Sequence, residues 1–249
     1  MKILILQNRM GIGDMIMFLP FIEAISKRYK TPVTILAKRN TKVEMYFNNK
    51  EIVEEIMYLE REDNKKHSGV KGFFKLVNEL KLKKFDKVFI FNSSLRYFLI
   101  SKFSDIKEVF HYPLFKKKNQ QIIEAAKEFT LKSIGEDVES TPRLFLREKD
   151  ILKAKKDHSV DQSITNIILG IGGSGKTKRV PASIFKSFME KALNRFNCRF
   201  FLMTGNNIDE LKIMDEIIES EYKEYCTPLN NFTIEEILPI IPNCQIAIC

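Results

Sequence analysis

Two glycine-rich stretches hold the residues whose types and spacing could do chemistry. In the first, Gly11-Ile12-Gly13-Asp14, a carboxylate follows directly on two glycines. The second, Gly170-Ile171-Gly172-Gly173-Ser174-Gly175-Lys176-Thr177, fits G-x-x-x-x-G-K-[ST] at every required position. That is the pattern of a loop whose backbone N–H groups and lysine wrap phosphates. Such a loop works when the helix that starts at its Gly-Lys-Thr runs on unbroken and points its positive end at the ligand. Pro181 falls about one turn later, where an interior proline costs roughly 3 kcal/mol. Proline fits far better in a first turn. The sequence therefore predicts a helix that begins near Pro181, with the residues before it forming an extended loop. The reading as a nucleoside triphosphatase or kinase also needs an Asp at the end of an apolar strand to hold magnesium. "FFLMTG" and "QIAIC" lack one, and "FDKVFIFN" ends on Asn92. What survives is a more general anion site, a strand and glycine turn flanked by Lys176, Lys178 and Arg179. The plainer alternative is a basic surface loop.

The first stretch also has two readings. Gly11 and Gly13 let the backbone approach a ligand closely. Asp14 stands where a helix should begin, so it could cap the free N–H groups there. It could equally be a carboxylate held ionised beside a cleft, able to take a proton from an attacking hydroxyl. G-x-G-D lacks the third glycine of a dinucleotide fingerprint.

These turns need strands and helices to position them. "KILIL" is a short continuous apolar run, and "MIMFLPFIEAISKRY" keeps helical spacing, which gives strand, turn, helix. "PVTILA", "EEIMYL", "FDKVFIFN" and "EVFHY" read as further strands, and "VKGFFKLVNELKLK", "SLRYFLISKFS" and "NQQIIEAAKEFTLKSIG" as helices, the last closed by Gly135. Residues 136–163 turn polar, and the sequence predicts one short strand, one charged helix and a Ser/Asp-rich connection there. The alternation then restarts with "ITNIILG", "ASIFKSFMEKALNRF", "CRFFLMTG" and "IDELKIMDEIIESE". "YKEYCTPLNN" reads as a loop before "FTIEEILPII" and a last strand in "QIAIC". Strands alternating with helices twice over predict two parallel-sheet α/β domains, placed at residues 1–150 and 160–249. The second has about three strands and reads as incomplete, as in a fragment.

The 249 residues are 44% hydrophobic and 29% charged, which fits a globular chain with a real core. The formal charge of +9 draws anions: nucleotides, phosphorylated sugars, nucleic acid or an acidic membrane surface. Clusters such as Lys116-Lys117-Lys118 and those between Lys153 and Lys156 read as solvated faces or loops. Cys198, Cys226, Cys244 and Cys249 make no C-x-x-C pair, and no histidine stands at metal-ligand spacing from one, so no metal site is expected. Buried free thiols fit a reducing compartment. The short apolar run at the N-terminus does not resemble a signal peptide, and the expected location is the cytoplasm.

"KILILQNRMGIGDMIMFLPFIEAISKRY" resembles the N-terminus of glycosyltransferase family 9, the lipopolysaccharide heptosyltransferases, where a first strand leads into an (I/L)GD turn and a helix with an early proline. "ILGIGGSGKTKRVPASIFKSFMEKAL" is similar to that family's strand, Gly/Ser turn, K-R-W-P and helix. "CRFFLMTGNNIDE" is similar to its next strand and acidic turn, and "FTIEEILPIIPNCQIAIC" to the helix and strand before its (N/D)-(S/T)-G-x-x-H segment. The resemblance covers nearly the whole chain. It implies two Rossmann-like domains facing across a cleft, the GT-B arrangement, with the acceptor on the first and the nucleotide sugar on the second. It implies Asp14 as general base beside Gly13, with Gly11 in the same turn. It implies Lys178 on the donor's phosphates, with Lys176 and Arg179 nearby, Ser174 as a hydroxyl partner, and Glu210 approaching the nucleotide. The implied donor is ADP-heptose-like, with no further cofactor. The implied acceptor is a lipopolysaccharide core or related glycan, met at the cytoplasmic face of the inner membrane, and no nucleic acid partner is implied. Val180 stands where the family has Trp, and the chain stops at Cys249, where the (N/D)-(S/T)-G-x-x-H segment would begin. A non-catalytic nucleotide-sugar binder left by truncation is the remaining alternative.

Overall fold

The computed structural model describes residues 1–9, 11–47, 49–114, 120–173 and 179–249. Ser174, Lys176, Lys178 and the Lys116–Lys118 cluster lie outside the described residues. The chain divides into two compact units, Met1–Leu144 and Phe145–Cys249.

The first unit is built on five parallel strands: β1 (Ile3–Leu6), β2 (Val33–Ala37), β3 (Val53–Tyr58), β4 (Lys87–Ile90) and β5 (Glu108–His111). Their order is β3-β2-β1-β4-β5. Every residue of β1 and β2 is buried, the mark of parallel strands covered on both faces. Leu6 pairs with Leu36 on one side and Ile90 on the other. The order reverses direction between β1 and β4, and the carboxyl ends of these two strands frame the crevice where open α/β sheets take ligands.

Alternate residues of the strands serve different helices. Leu4, Leu6, Val88 and Ile90 pack with Leu76, Val77 and Leu80 of α3 (Gly69–Lys83) and with Tyr97 and Ile100 of α4 (Leu95–Phe103). Phe89 and Phe91 instead meet Phe18, at the cap of α2 (Leu19–Tyr29), and Phe129 of α5 (Ile122–Ile134). The α5 helix ends as expected, on Gly135 at φ 75, whose N–H reaches Leu131 O at 2.8 Å. One expectation is corrected. The helix after the first turn is not continuous: α1 (Ile12–Ile16) stops, and α2 restarts at Leu19 with Pro20 in its first turn. Pro20 inside one long helix would have removed a hydrogen bond and struck the carbonyl of residue 16.

The second unit carries β6 (Thr165–Gly170), β7 (Cys198–Met203), β8 (Cys226–Leu229) and β9 (Ile246–Ile248), all parallel, in the order β8-β7-β6-β9. Ile167 and Leu169 face Phe185 and Met189 of α7 (Ala182–Leu193) and Met214 and Ile217 of α8 (Ile208–Ile218). Ile168 and Phe201 turn the other way, toward Ala154 of α6 (Glu148–Asp157) and toward Ile240. Asn243 ties that side together by donating to Ile151 O at 3.1 Å and to Pro239 O at 3.0 Å.

The structure also corrects the reading of two other segments. Residues 226–229, expected as loop, form β8. Pro228 obscured this strand, but proline is tolerated on a sheet edge, and β8 is an edge. The short strand expected within residues 136–163 does not form. The four-residue α9 (Ile234–Ile237) is opened by a capping box in which Thr233 and Glu236 bond reciprocally.

Candidate functional site

In the first unit β1 delivers the chain to Gly11, whose φ of 104 lies in the left-handed region that favours glycine. Gly11 is the N-cap of α1, and no side chain bonds to that helix start. The reading of Asp14 as the cap is thereby corrected: it sits in the first turn of the helix, not before it. Its side chain is partly exposed, and among the described residues its carboxylate accepts no hydrogen bond and makes no ion pair. A Cβ on Gly11 would lie 3.9 Å from Asp14 Oδ2, so the carboxylate folds back over the glycine. Gly13 is exposed, and a Cβ there would meet nothing within 4 Å.

The loops that follow β1 and β4 are tied to each other. Asn92 Nδ2, after β4, donates to Asn8 Oδ1, after β1, at 3.1 Å, while Asn92 Oδ1 accepts from Ser94 N–H at 2.9 Å. Gln7 is buried; its Oε1 accepts from Arg9 N–H, and its Nε2 has no partner among the described residues. Beside these loops a cavity of about 770 Å³ opens at the carboxyl ends of β1, β4 and β5, against α5. That is the size of a small-molecule site. Arg9, Ser93, His111 and Tyr112 give it polar groups, and Phe18 and Phe129 an apolar wall. His111 Nδ1 lies 2.6 Å from Tyr112 O; a carbonyl only accepts, so Nδ1 donates to it. The Tyr112 hydroxyl is buried with no partner among the described residues, and burial pushes its pKa above the usual phenol range. The motif reading missed these four residues. Their signal was position alone, each falling just past or at the end of an apolar strand.

The second unit uses its acidic residue differently. Glu210, in the first turn of α8, is buried. Its Oε1 accepts from Gly173 N–H at 3.1 Å and its Oε2 from Gly205 N–H at 3.0 Å. One carboxylate thus joins the loop after β6 to the loop after β7. Glycine is required for this approach: a Cβ on Gly205 would stand 2.9 Å from Glu210 Oε2, and one on Gly172 3.2 Å from it. Arg179 completes the cluster, with Nη1 2.6 Å from Asp209 Oδ2 and Nε 3.8 Å from Glu210 Oε1. Thr204, at the carboxyl end of β7, is buried with its hydroxyl unpartnered among the described residues. Gly170 packs across to the last residue, where an added Cβ would meet Cys249 Sγ at 2.9 Å.

Residues 174–177 of the phosphate-wrapping pattern lie outside the described residues, but the unbroken helix which that reading needs is interrupted after them. Arg179 and Val180 are not helical, Pro181 is the extended N-cap of α7, and the helix starts at Ala182. This is the start that Pro181 predicted. The buried thiols are unsuited to nucleophilic work: burial pushes Cys226 up to about 12 and raises Cys198 as well. Among the described residues no group of three His, Cys, Asp or Glu side chains is placed to hold a metal ion.

The structure therefore groups the predicted residues in two places. Gly11, Gly13 and Asp14 share one turn of the first unit, and Arg179 and Glu210 share one ion-paired cluster of the second.

No protein-family profile matches the chain, and no curated protein matches it. Solved structures do match its fold. A glycosyl transferase family 9 structure from Veillonella parvula matches with a TM-score of 0.74 at 16% identity, over 99% of this chain and 74% of that one. The ADP-heptose lipopolysaccharide heptosyltransferase II of E. coli matches with a TM-score of 0.67 at 17% identity, over 99% and 78%. A UDP-GlcNAc 2-epimerase from Neisseria meningitidis, bound to UDP-GlcNAc, matches with a TM-score of 0.53 at 13% identity, over 99% and 76%. At these identities the likeness establishes the fold. It is a two-domain α/β fold of the GT-B type, each domain a parallel sheet flanked by helices.

Proposed function

We propose that this chain is a glycosyltransferase that moves a sugar from a nucleoside-diphosphate donor to an acceptor hydroxyl. The observation that carries this reading is the Asp14 carboxylate. It stands at the carboxyl edge of the central strand β1, in a first helical turn, with no hydrogen bond or ion pair among the described residues. Asp14 takes the proton from the acceptor hydroxyl as its oxygen attacks the sugar's anomeric carbon. The bond from that carbon to the diphosphate breaks, and the diphosphate leaves with its electron pair and negative charge. Lys176 and Lys178 supply the cations that stabilise this charge. Glu210 and Arg179 fix the loops on either side of them. The cavity beside Arg9, His111 and Tyr112 takes the acceptor.

The finer assignment rests on the family resemblance and on the E. coli enzyme named for ADP-heptose. The donor is proposed as ADP-heptose or a close relative, and the acceptor as a lipopolysaccharide core or similar glycolipid at the cytoplasmic face of the inner membrane. The test is release of ADP from ADP-heptose in the presence and absence of a lipid A–inner-core acceptor. Acceptor-dependent release that a chelator does not abolish supports transfer assisted by lysine cations. Release that needs no acceptor points to hydrolysis, and epimerised sugar with no release would assign the fold's other chemistry.

A further inference from the structure

The outer surfaces of α3 and α4 are unusually apolar for water-facing helices. Val70, Phe74 and Leu82 stand on the outward half of α3 and are 73%, 56% and 82% exposed. Leu95, Leu99 and Phe103, spaced four apart on α4, are 48%, 36% and 58% exposed. The two sets belong to neighbouring helices. Phe73 bridges them, its ring 5.2 Å from that of Phe74 and 6.0 Å from that of Phe103. Arg96 locks the junction, with its guanidinium over Phe73 and bonds to His67 O and Gly69 O at 3.1 and 2.9 Å. Exposed apolar side chains gathered on neighbouring helices in this way mark an interaction site.

The charges select the partner. The two helices carry Lys71, Lys75, Lys81, Lys83, Arg96 and Lys102 against the single carboxylate Glu79. Glu79 is already engaged by Lys66 at 2.8 Å and His67 at 3.2 Å. Lys81 and Lys83 are spent on Asp105 and Glu55. Lys71, Lys75 and Lys102 are exposed and pair with no carboxylate among the described residues. Bulky apolar side chains interleaved with unpaired lysines fit an interfacial, anionic-lipid-binding surface. No described helix is long and apolar enough to cross a membrane, so any such contact is made from outside the bilayer.

We propose that the α3–α4 face docks on an anionic lipid bilayer, with Phe74, Leu99 and Phe103 entering the headgroup layer and Lys71, Lys75 and Lys102 meeting lipid phosphates. This inference stands on the surface itself and does not depend on the reading of the catalytic site. The test is co-sedimentation of the purified chain with phosphatidylglycerol-containing vesicles and with phosphatidylcholine vesicles. Binding is expected to the first, to weaken with salt, and to be much lower for the second. Lys71→Gln, Lys75→Gln and Lys102→Gln should each weaken it about fivefold, and the triple variant roughly a hundredfold. Phe74→Ser with Phe103→Ser should weaken it at least roughly tenfold, while Phe196→Ser, an exposed aromatic of the other unit, should leave it unchanged. The lysine variants change only exposed side chains, so they keep the test valid if the phenylalanine variant fails to fold. Failure of the chain to bind anionic vesicles overturns the proposal, as does binding that the face variants leave intact. A dimer in sedimentation equilibrium that Phe74→Ser dissociates would assign the face to a second copy instead.

Discussion

The turn after β1 and the paired turns after β6 and β7 look alike in sequence, glycines followed by an acidic residue, yet they use the carboxylate in opposite ways. Asp14 keeps both oxygens without a partner among the described residues. Glu210 has both oxygens occupied by backbone N–H groups, with Arg179 beside it. The glycines differ in the same sense. Gly205 and Gly172 are small because Glu210 fills the space a side chain would need. Gly13 has open space around its Cβ position, so nothing in the fold demands glycine there. A carboxylate that is spent on the fold is architecture, whereas one left open at a strand's carboxyl edge is available for chemistry.

The largest effect should come from breaking the chemical half. Asp14→Asn should cut transfer by about 10²- to 10⁴-fold, the usual loss of a general base. Binding of the nucleoside diphosphate and the melting temperature should hold, as measured by calorimetry and thermal denaturation. Breaking the architectural half should give the reverse. Glu210→Ala leaves Arg179 without one of its two carboxylates and removes the bonds from Gly173 and Gly205 N–H that join the two loops. It should cost about 3 kcal/mol of stability by denaturant unfolding.

The glycines sharpen the contrast. Gly205→Ala should destabilise by about 1–3 kcal/mol, because its Cβ would push Glu210 Oε2 off the Gly205 N–H. Gly13→Ala sits in a helix with room for a methyl group and should leave stability unchanged or raise it by roughly 0.5–1 kcal/mol. If a substrate nevertheless passes close to that backbone, transfer by Gly13→Ala falls while the melting curve does not.

The smallest effect concerns pH. His67 is buried in the first unit, with Nδ1 accepting from Glu60 N–H at 3.1 Å and Nε2 3.2 Å from Glu79. Burial lowers its pKa despite the carboxylate of Glu79. The unfolded chain therefore binds the proton more readily. Its contribution is complete above the ordinary histidine value of about 6.5 and is lost as pH falls below that value toward the lowered one. His67→Gln should flatten the pH dependence of stability across that window.

How far all this could be read from sequence depended on whether the deciding interaction was local. Pro181 announced the start of α7, and Gly135 the end of α5, because a proline ring and a left-handed glycine act on their own few residues. The break between α1 and α2 at Pro20 was equally local and was passed over in favour of the helical period around it. β8 was hidden because Pro228 argues against a strand until the strand is known to be an edge. Glu210 was placed near the nucleotide by resemblance, but its bond to Gly173 joins residues 37 apart and depends on β6 and β7 lying side by side. Arg9, His111 and Tyr112 converge only once β1, β4 and β5 are ordered, which no short motif encodes.

The most direct test of the contrast is a crossed one: Asp14→Asn and Glu210→Ala, each assayed for transfer from the nucleotide sugar at saturating donor and each melted in the same buffer. The account predicts that Asp14→Asn loses transfer with an unchanged melting curve, and that Glu210→Ala melts early yet retains a substantial maximal rate at temperatures where it is folded. Transfer by Asp14→Asn at the wild-type rate, or a loss of stability that matches its loss of transfer, would contradict it.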